Sequence, residues 1–147
     1  MEKQEKIVQM FNDIAPTYDL ANRVLSMGAD VSWRKIACKT VLSNFKDSSV
    51  NIADVACGTG DMMGFWQKTA GEFNVKIENL IGVDPSSGML AVAKQKFPEF
   101  KFIEALATQT TLDSGSMDVL SISYGIRNVV EREAALREFN RVLKTGG

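Results

Sequence analysis

Apolar residues change their spacing once along the chain. Through residue 46 they recur at helical intervals: Ile7, Met10, Phe11 and Ile14 share one face, and Pro16 ends that segment. A second helix is predicted around Trp33, Ile36, Ala37, Thr40 and Val41, and Asp47-Ser48-Ser49 is a turn signal that closes the helical part. From residue 50, short apolar runs alternate with amphipathic stretches. VNIADVA (50–56), LIGVD (80–84), FKFIEA (100–105) and DVLSISYG (118–125) read as strands. Between them, DMMGFWQKTA (61–70) is a helix that turns Met62, Phe65, Trp66 and Ala70 to one side. Pro85-Ser86-Ser87 opens another, with a serine as its N-cap and Met89, Leu90, Val92 and Ala93 inward. EREAALREFNRVLK (131–144) aligns Ala135, Phe139, Val142 and Leu143 and stops at Gly146-Gly147. Strand–helix alternation with nearly continuous apolar strands predicts an α/β fold, a doubly wound parallel sheet covered on both faces. The expected organisation is one domain over 1–147, with a helical entry or lid segment at 1–46 and an α/β core at 47–147.

Sheets of this kind bind ligands at the carboxyl ends of their strands, beside the point where strand order reverses. DVACGTGD (54–61) sits at the end of the first strand, where that rule places a ligand. A nicotinamide dinucleotide, a nucleotide phosphate and S-adenosylmethionine (SAM) all favour such a turn. The dinucleotide pattern GxGxxG needs a third glycine where this chain has Met63, and Gly64 comes one residue late. No GxxxxGK phosphate loop is present. Asp54 and Asp61 flank the turn with negative charge, which would repel a pyrophosphate and suits the sulfonium and amino group of SAM. Asp84, ending the second strand, is placed for a bidentate hydrogen bond to two ribose hydroxyls, a feature that SAM and NAD sites share.

Composition narrows the chemistry further. The chain has 147 residues, 45% hydrophobic and 24% charged, as in an ordinary globular domain. A net charge of −1 gives no electrostatic footprint for nucleic acid. No apolar run approaches a membrane span, and the start MEKQEKIVQ lacks a secretory signal core, so a cytoplasmic location is expected. Cys38 and Cys57 form no CxxC pair and read as reduced, packed thiols. Histidine is absent altogether, which removes imidazole metal ligands, Ser-His and Cys-His nucleophiles and the commonest general base; no metal site is predicted. Chemistry here must rest on carboxylates, Tyr, Arg, Lys or a reactive cofactor.

DVACGTGD followed by GVDPSSGML (82–90) resembles the first two motifs of class I SAM-dependent methyltransferases. More narrowly, MFNDIAPTYDLANRVLSMG (10–28), DVACGTGD, SYGIRNV (123–129) and RVLKTGG (141–147) resemble the ubiquinone/menaquinone biosynthesis C-methyltransferases over essentially the whole chain. The most specific parts are SYGIRNV and the element Tyr18-Asp19 through Asn22. The chain departs from the family pattern at Ala21, where Met is usual, at Asp30, where His is usual, and at Leu106-Ala107-Thr108, where a polar residue usually stands near the adenine. The resemblance implies a Rossmann-like sheet of the class I methyltransferase type, of which this chain carries about four of the usual seven strands. It is thus expected to be either a fragment of a longer protein or a chain that has lost the second half of the sheet. If it were the entire product, weak activity or dimerisation through the fourth strand's open edge would follow.

The resemblance also implies the reaction: SAM-dependent methylation of a ring carbon on a polyprenylated quinol, either demethylmenaquinol or a 2-methoxy-6-polyprenyl benzoquinol, with S-adenosylhomocysteine as product. It assigns Asp54, Ala56, Gly58, Thr59, Gly60, Asp61, Asp84, Pro85, Met89, Leu106, Ala107, Ser123 and Tyr124 to the cofactor. Arg127 would stabilise the quinol oxyanion and organise a water that takes the proton, and Tyr18 and Asn128 would orient the ring. The apolar stripe of the N-terminal segment would serve the lipophilic tail as a groove, with transient peripheral membrane contact. The competing readings are a methyltransferase with another small-molecule acceptor and a SAM-binding fragment without turnover.

Overall fold

The computed structural model describes residues 2–26 and 28–147. Its first third is helical: α1 (Glu2–Ile14), a 3₁₀ turn (Ala15–Thr17), α2 (Tyr18–Ser26) and α3 (Ala29–Leu42). Pro16, with no N–H to donate and a fixed φ, converts the end of α1 into that turn. There follow β1 (Ser49–Val55), α4 (Asp61–Glu72), β2 (Lys76–Asp84), α5 (Ser87–Lys96), β3 (Lys101–Glu104), β4 (Val119–Ile122) and α6 (Arg132–Val142). The four strands make one parallel sheet in the order β3-β2-β1-β4. The chain steps outward from β1 to β2 and β3, then returns to the other side of β1. The order therefore reverses between β1 and β4, whose ends lie level, with Val55 in register with both Val83 and Ile122.

β1 is buried from Val50 on except at Asn51, and its two faces feed two layers. Val50 and Ile52 join Cys38, Leu42, Met62, Trp66 and Ala70 beneath α3 and α4. Ala53 packs with Val142, and Val55 with Ala135 and Phe139, all three on α6. A strand covered on both sides has no need of polar alternation, which is why VNIADVA reads as an apolar run. The expected α/β parallel sheet with N-terminal helices is the architecture found.

Three local differences have physical causes. α3 buries Asp30, Arg34, Cys38 and Leu42, a strict i, i+4 row, while Trp33 and Ile36 are 58% and 63% exposed. β2 begins four residues before the predicted LIGVD, because Lys76, Ile77 and Asn79 already pair with Ser49, Val50 and Asn51 of β1, while the side chains of Lys76 and Glu78 stay exposed and hide the strand from the apolar pattern. β4 stops at Ile122, since Tyr124 takes a left-handed φ of +62° and the chain leaves the sheet there. Between β3 and β4 there is no helix. The connecting loop is instead tied to α6: Thr110 donates its N–H and hydroxyl to Glu138 at 2.8 and 2.7 Å. Arg141, then Thr110, hold the Glu138 carboxyl well below the usual range.

Candidate functional site

β1 and β4 both end in left-handed backbone. Beyond β1, Ala56 has φ +53°, Gly58 +55° and Gly60 +87°; beyond β4, Tyr124 has φ +62°. For Ala56 and Tyr124 this conformation is strained, and such strain gathers at functional sites. The two turns also touch: a Cβ on Gly125 would lie 2.5 Å from the Ala56 Cβ, so only glycine lets the two strand ends come this close.

Asp84, at the end of β2, is 7% exposed. Its Oδ2 accepts the Gly58 N–H at 2.9 Å, and its Oδ1 accepts the Ser86 N–H at 2.8 Å. Burial pushes its carboxyl up, against the pull of these two bonds. Each oxygen keeps a second lone pair, so the carboxylate fixes the glycine turn and the start of α5 while still able to accept two further hydrogen bonds.

The other two aspartates behave differently from one another. Asp54 is 2% exposed and faces inward on the α3/α4 side of β1. The Ser121 hydroxyl donates to it at 2.7 Å, and the Trp66 indole donates to Ser121 at 3.1 Å. Burial pushes its carboxyl up to about 7, opposed by Ser121 and by the charge of Arg34. Asp61, at the first position of α4, forms an ion pair with Lys96 at 3.2 Å. The same ammonium meets Asp19 at 2.6 Å, and Asp19 accepts from the Thr59 hydroxyl at 2.5 Å. The negative flank expected around the turn is thus one inward carboxyl that titrates near neutrality and one carboxylate matched by a lysine. The Thr59–Asp19–Lys96 contacts fasten α2 over the turn.

A cleft of about 180 Å³ opens over the strand ends. Of the residues expected to touch cofactor, Ala56, Gly58, Asp84, Pro85, Met89, Leu106, Ala107, Ser123 and Tyr124 line it, joined by Tyr18 and Asn128. Asp54, Thr59, Gly60 and Asp61 lie behind or beside the turn, outside this lining. Arg127 is exposed, in the 3₁₀ turn Ile126–Asn128, and its carbonyl accepts from the Arg132 guanidinium at 2.9 Å. Asn128, next to it, does face the cleft.

α1 forms the remaining wall with Gln4, Ile7, Val8 and Phe11. It is held at both ends. Asn12 Oδ1 accepts the Ser86 hydroxyl at 2.6 Å and the Gly88 N–H at 2.8 Å, while Gln4 Oε1 accepts the Val130 N–H at 3.2 Å. Asn12, Lys96 and Ser121 carried no signal in the sequence, because each is defined by a partner on a distant element.

The profile of the ubiE/COQ5 methyltransferase family matches residues 1–147. The chain belongs to this family. Among the family's proteins, a ubiquinone/menaquinone biosynthesis C-methyltransferase UbiE of Campylobacter jejuni is 62% identical over 147 residues, covering all of this chain and 63% of that protein. A demethylmenaquinone methyltransferase of Chlorobaculum tepidum is 37% identical, covering 99% of this chain and 58% of that one. The chain therefore spans less than two thirds of the length of these relatives. Among solved structures, a SAM-dependent methyltransferase of Thermotoga maritima superimposes with a TM-score of 0.67 at 23% identity, over 94% of this chain and 57% of that one. One from Aquifex aeolicus gives 0.60 at 20%, over 73% and 58%. At such identities the likeness establishes the Rossmann-like fold of the family and nothing finer.

Proposed function

We propose that the cleft binds SAM and that the protein methylates a ring carbon of a polyprenylated quinol, demethylmenaquinol or its 2-methoxy-6-polyprenyl benzoquinol counterpart. The observation that carries the SAM reading is Asp84: a carboxylate fixed by two backbone N–H groups at the end of β2, with acceptor capacity left and directed by its place in the lining into the cleft. It suits the vicinal hydroxyls of a ribose. Ala56 and Gly58 offer backbone to the amino-acid end, and Met89, Leu106 and Ala107 offer apolar surface to the adenine. The names of the relatives with 62% and 37% identity support the quinol acceptor.

SAM supplies an electrophilic methyl group on an excellent leaving group, so the protein's task is alignment. Tyr18 and Asn128 flank the space where a ring would lie, and their hydroxyl and amide can hold its oxygens. Loss of a quinol hydroxyl proton makes the ring carbon electron-rich, and Arg127, swung from its exposed position, would stabilise that oxyanion. The apolar side chains of α1, together with Val129 and Val130, form the wall along which a prenyl tail can leave. Leu20, Leu25, Trp33 and Ile36 are exposed on α2 and α3, and support transient contact with a membrane surface during substrate capture. No helix among the described residues is long and apolar enough to cross one.

Calorimetry with S-adenosylhomocysteine and with NAD, followed by turnover of a short-chain demethylmenaquinol, tests the reading. S-adenosylhomocysteine should bind, and Asp84→Ala should weaken it about 10- to 100-fold, the range for hydrogen bonds to a charged group. Binding of NAD with no response to S-adenosylhomocysteine would overturn the cofactor assignment.

A further inference from the structure

α3 is built against its own hydrophobic pattern. It exposes Trp33 and buries Arg34, whose side chain is 9% exposed. Burying a guanidinium is costly unless its donors are satisfied. Yet Arg34 Nε has no hydrogen-bond acceptor among the described residues, and Asp30 Oδ2, at 3.8 Å, is beyond hydrogen-bonding reach. Among the described residues, the acidic groups facing the guanidinium are Asp30 on its own helix, Asp54 on β1, which burial keeps protonated up to about pH 7, and the Cys38 thiol one turn along α3. Its third neighbour is an aromatic ring. The guanidinium carbon lies 5.3 Å from the centre of the Tyr124 ring, within the range of a cation–π contact. Trp33 meets the same ring at 6.3 Å and 43°.

Tyr124 is a residue that needs holding. It sits in left-handed backbone at φ +62°, is 41% exposed, and lines the cleft beside Ser123 and Asn128. Left-handed backbone is strained for a non-glycine residue and persists where surrounding contacts over-determine it. Here those contacts come from consecutive residues of α3. From this juxtaposition we infer that Arg34 is a positioning residue: set over Tyr124 with Trp33 alongside, it fixes the tyrosine ring, expected from the sequence at the cofactor, as a wall that the cleft shares with Asn128 on its acceptor side. This rests on the methyltransferase reading for the identity of the acceptor, but not for the arrangement. The buried cation faces Asp30 on its own helix and presents its remaining surface to the Tyr124 ring, which Trp33 meets from the exposed side.

The test uses the full-length protein with Arg34→Met, Arg34→Lys, Tyr124→Leu and the double variant R34M/Y124L. Four readouts apply: S-adenosylhomocysteine affinity, KM and kcat for a short-chain demethylmenaquinol, the Tyr124 ring resonances, and the pH dependence of stability. R34M should raise the acceptor KM about tenfold, the loss a partly buried cation–π contact carries, with S-adenosylhomocysteine affinity within about twofold. R34K should recover most of it, and R34M/Y124L should be no worse than Y124L alone. If R34M does not fold, Arg34→Gln, alone and combined with Y124L, carries the same comparison. Additive effects of the two substitutions, or an R34M effect seen only as a changed pH dependence through Asp54 with the acceptor KM unmoved, would overturn the inference. If the wild type turns over no quinol, the proposed function fails instead. The positioning claim is then decided by the Tyr124 resonances, which must shift in R34M and return towards wild type in R34K.

Discussion

Asp54→Asn isolates the energetic consequence of placing a carboxyl on the inner face of β1. Asp54 is 2% exposed, and burial pushes its carboxyl from 3.8 to about 7, against the Ser121 hydrogen bond and the Arg34 charge. The folded chain thus holds a proton that the unfolded chain releases. For an acid whose folded value is raised, stability is greatest at low pH and falls as pH rises through the window between the two values. The loss from this one group stays below about 1 kcal/mol at pH 4 and reaches the order of 4 kcal/mol at pH 8, where it levels off. That is a large fraction of the 5–15 kcal/mol typical of a domain. Asparagine keeps the Oδ1 that accepts from Ser121 and cannot ionise, so the variant carries none of this pH dependence.

The assay is urea unfolding followed by Trp66, 1% exposed and joined to Asp54 through Ser121, at steps from pH 4 to pH 8. The other titrating groups are common to both proteins, so the difference in unfolding free energy reports Asp54 together with its coupling to Asp84 and Arg34. It should move in favour of D54N by several kcal/mol across the range, most of it between pH 4 and pH 7, with the m-value unchanged. Parallel curves, separated by a constant, would show that Asp54 ionises normally in the folded protein and that water reaches it.

Two further substitutions probe the site's frame. Asn12→Ala removes the acceptor of two hydrogen bonds, from Ser86 and Gly88, and should cost about 1–3 kcal/mol; it should also speed proteolysis within α1, and unchanged cleavage would mean that α1 is held elsewhere. Gly125→Ala places a Cβ 2.5 Å from that of Ala56, with no flexible side chain to yield; a loss of about 1–3 kcal/mol with weakened S-adenosylhomocysteine binding is expected, and a variant as stable as wild type would show that the two turns can separate freely.

The parts of this protein legible in its sequence are those set by local pattern. β1, α4, α5 and α6 follow from apolar period. Asp84 was found because it ends a strand and is followed two residues on by the N-cap Ser86, whose N–H it accepts. Asp54 and Asp61 look equivalent as the two ends of one turn. Their difference comes from elsewhere: Ser121 of β4 and the α3/α4 layer enclose the first, and Lys96 of α5 neutralises the second. Asn12 meets partners 74 and 76 positions away. In α3, helical periodicity alone favours Trp33 and Ile36 as the inner face; the choice is reversed by Cys38 and Leu42, which pack with Val50 and Ile52 of β1 and with Trp66 of α4. The division follows function. On the proposed reading, the half of the cleft that takes SAM is made by the strand ends and their turns, so each of its residues lies within a few positions of a strand that the apolar pattern already marks. The other half is made where α1 and Tyr18 fold back onto those ends, with Arg34 of α3 behind Tyr124, and its residues have meaning only in pairs. Acceptor specificity should therefore respond to paired variants across the helix–turn contacts, Arg34 with Tyr124 above all, far more than to changes within DVACGTGD.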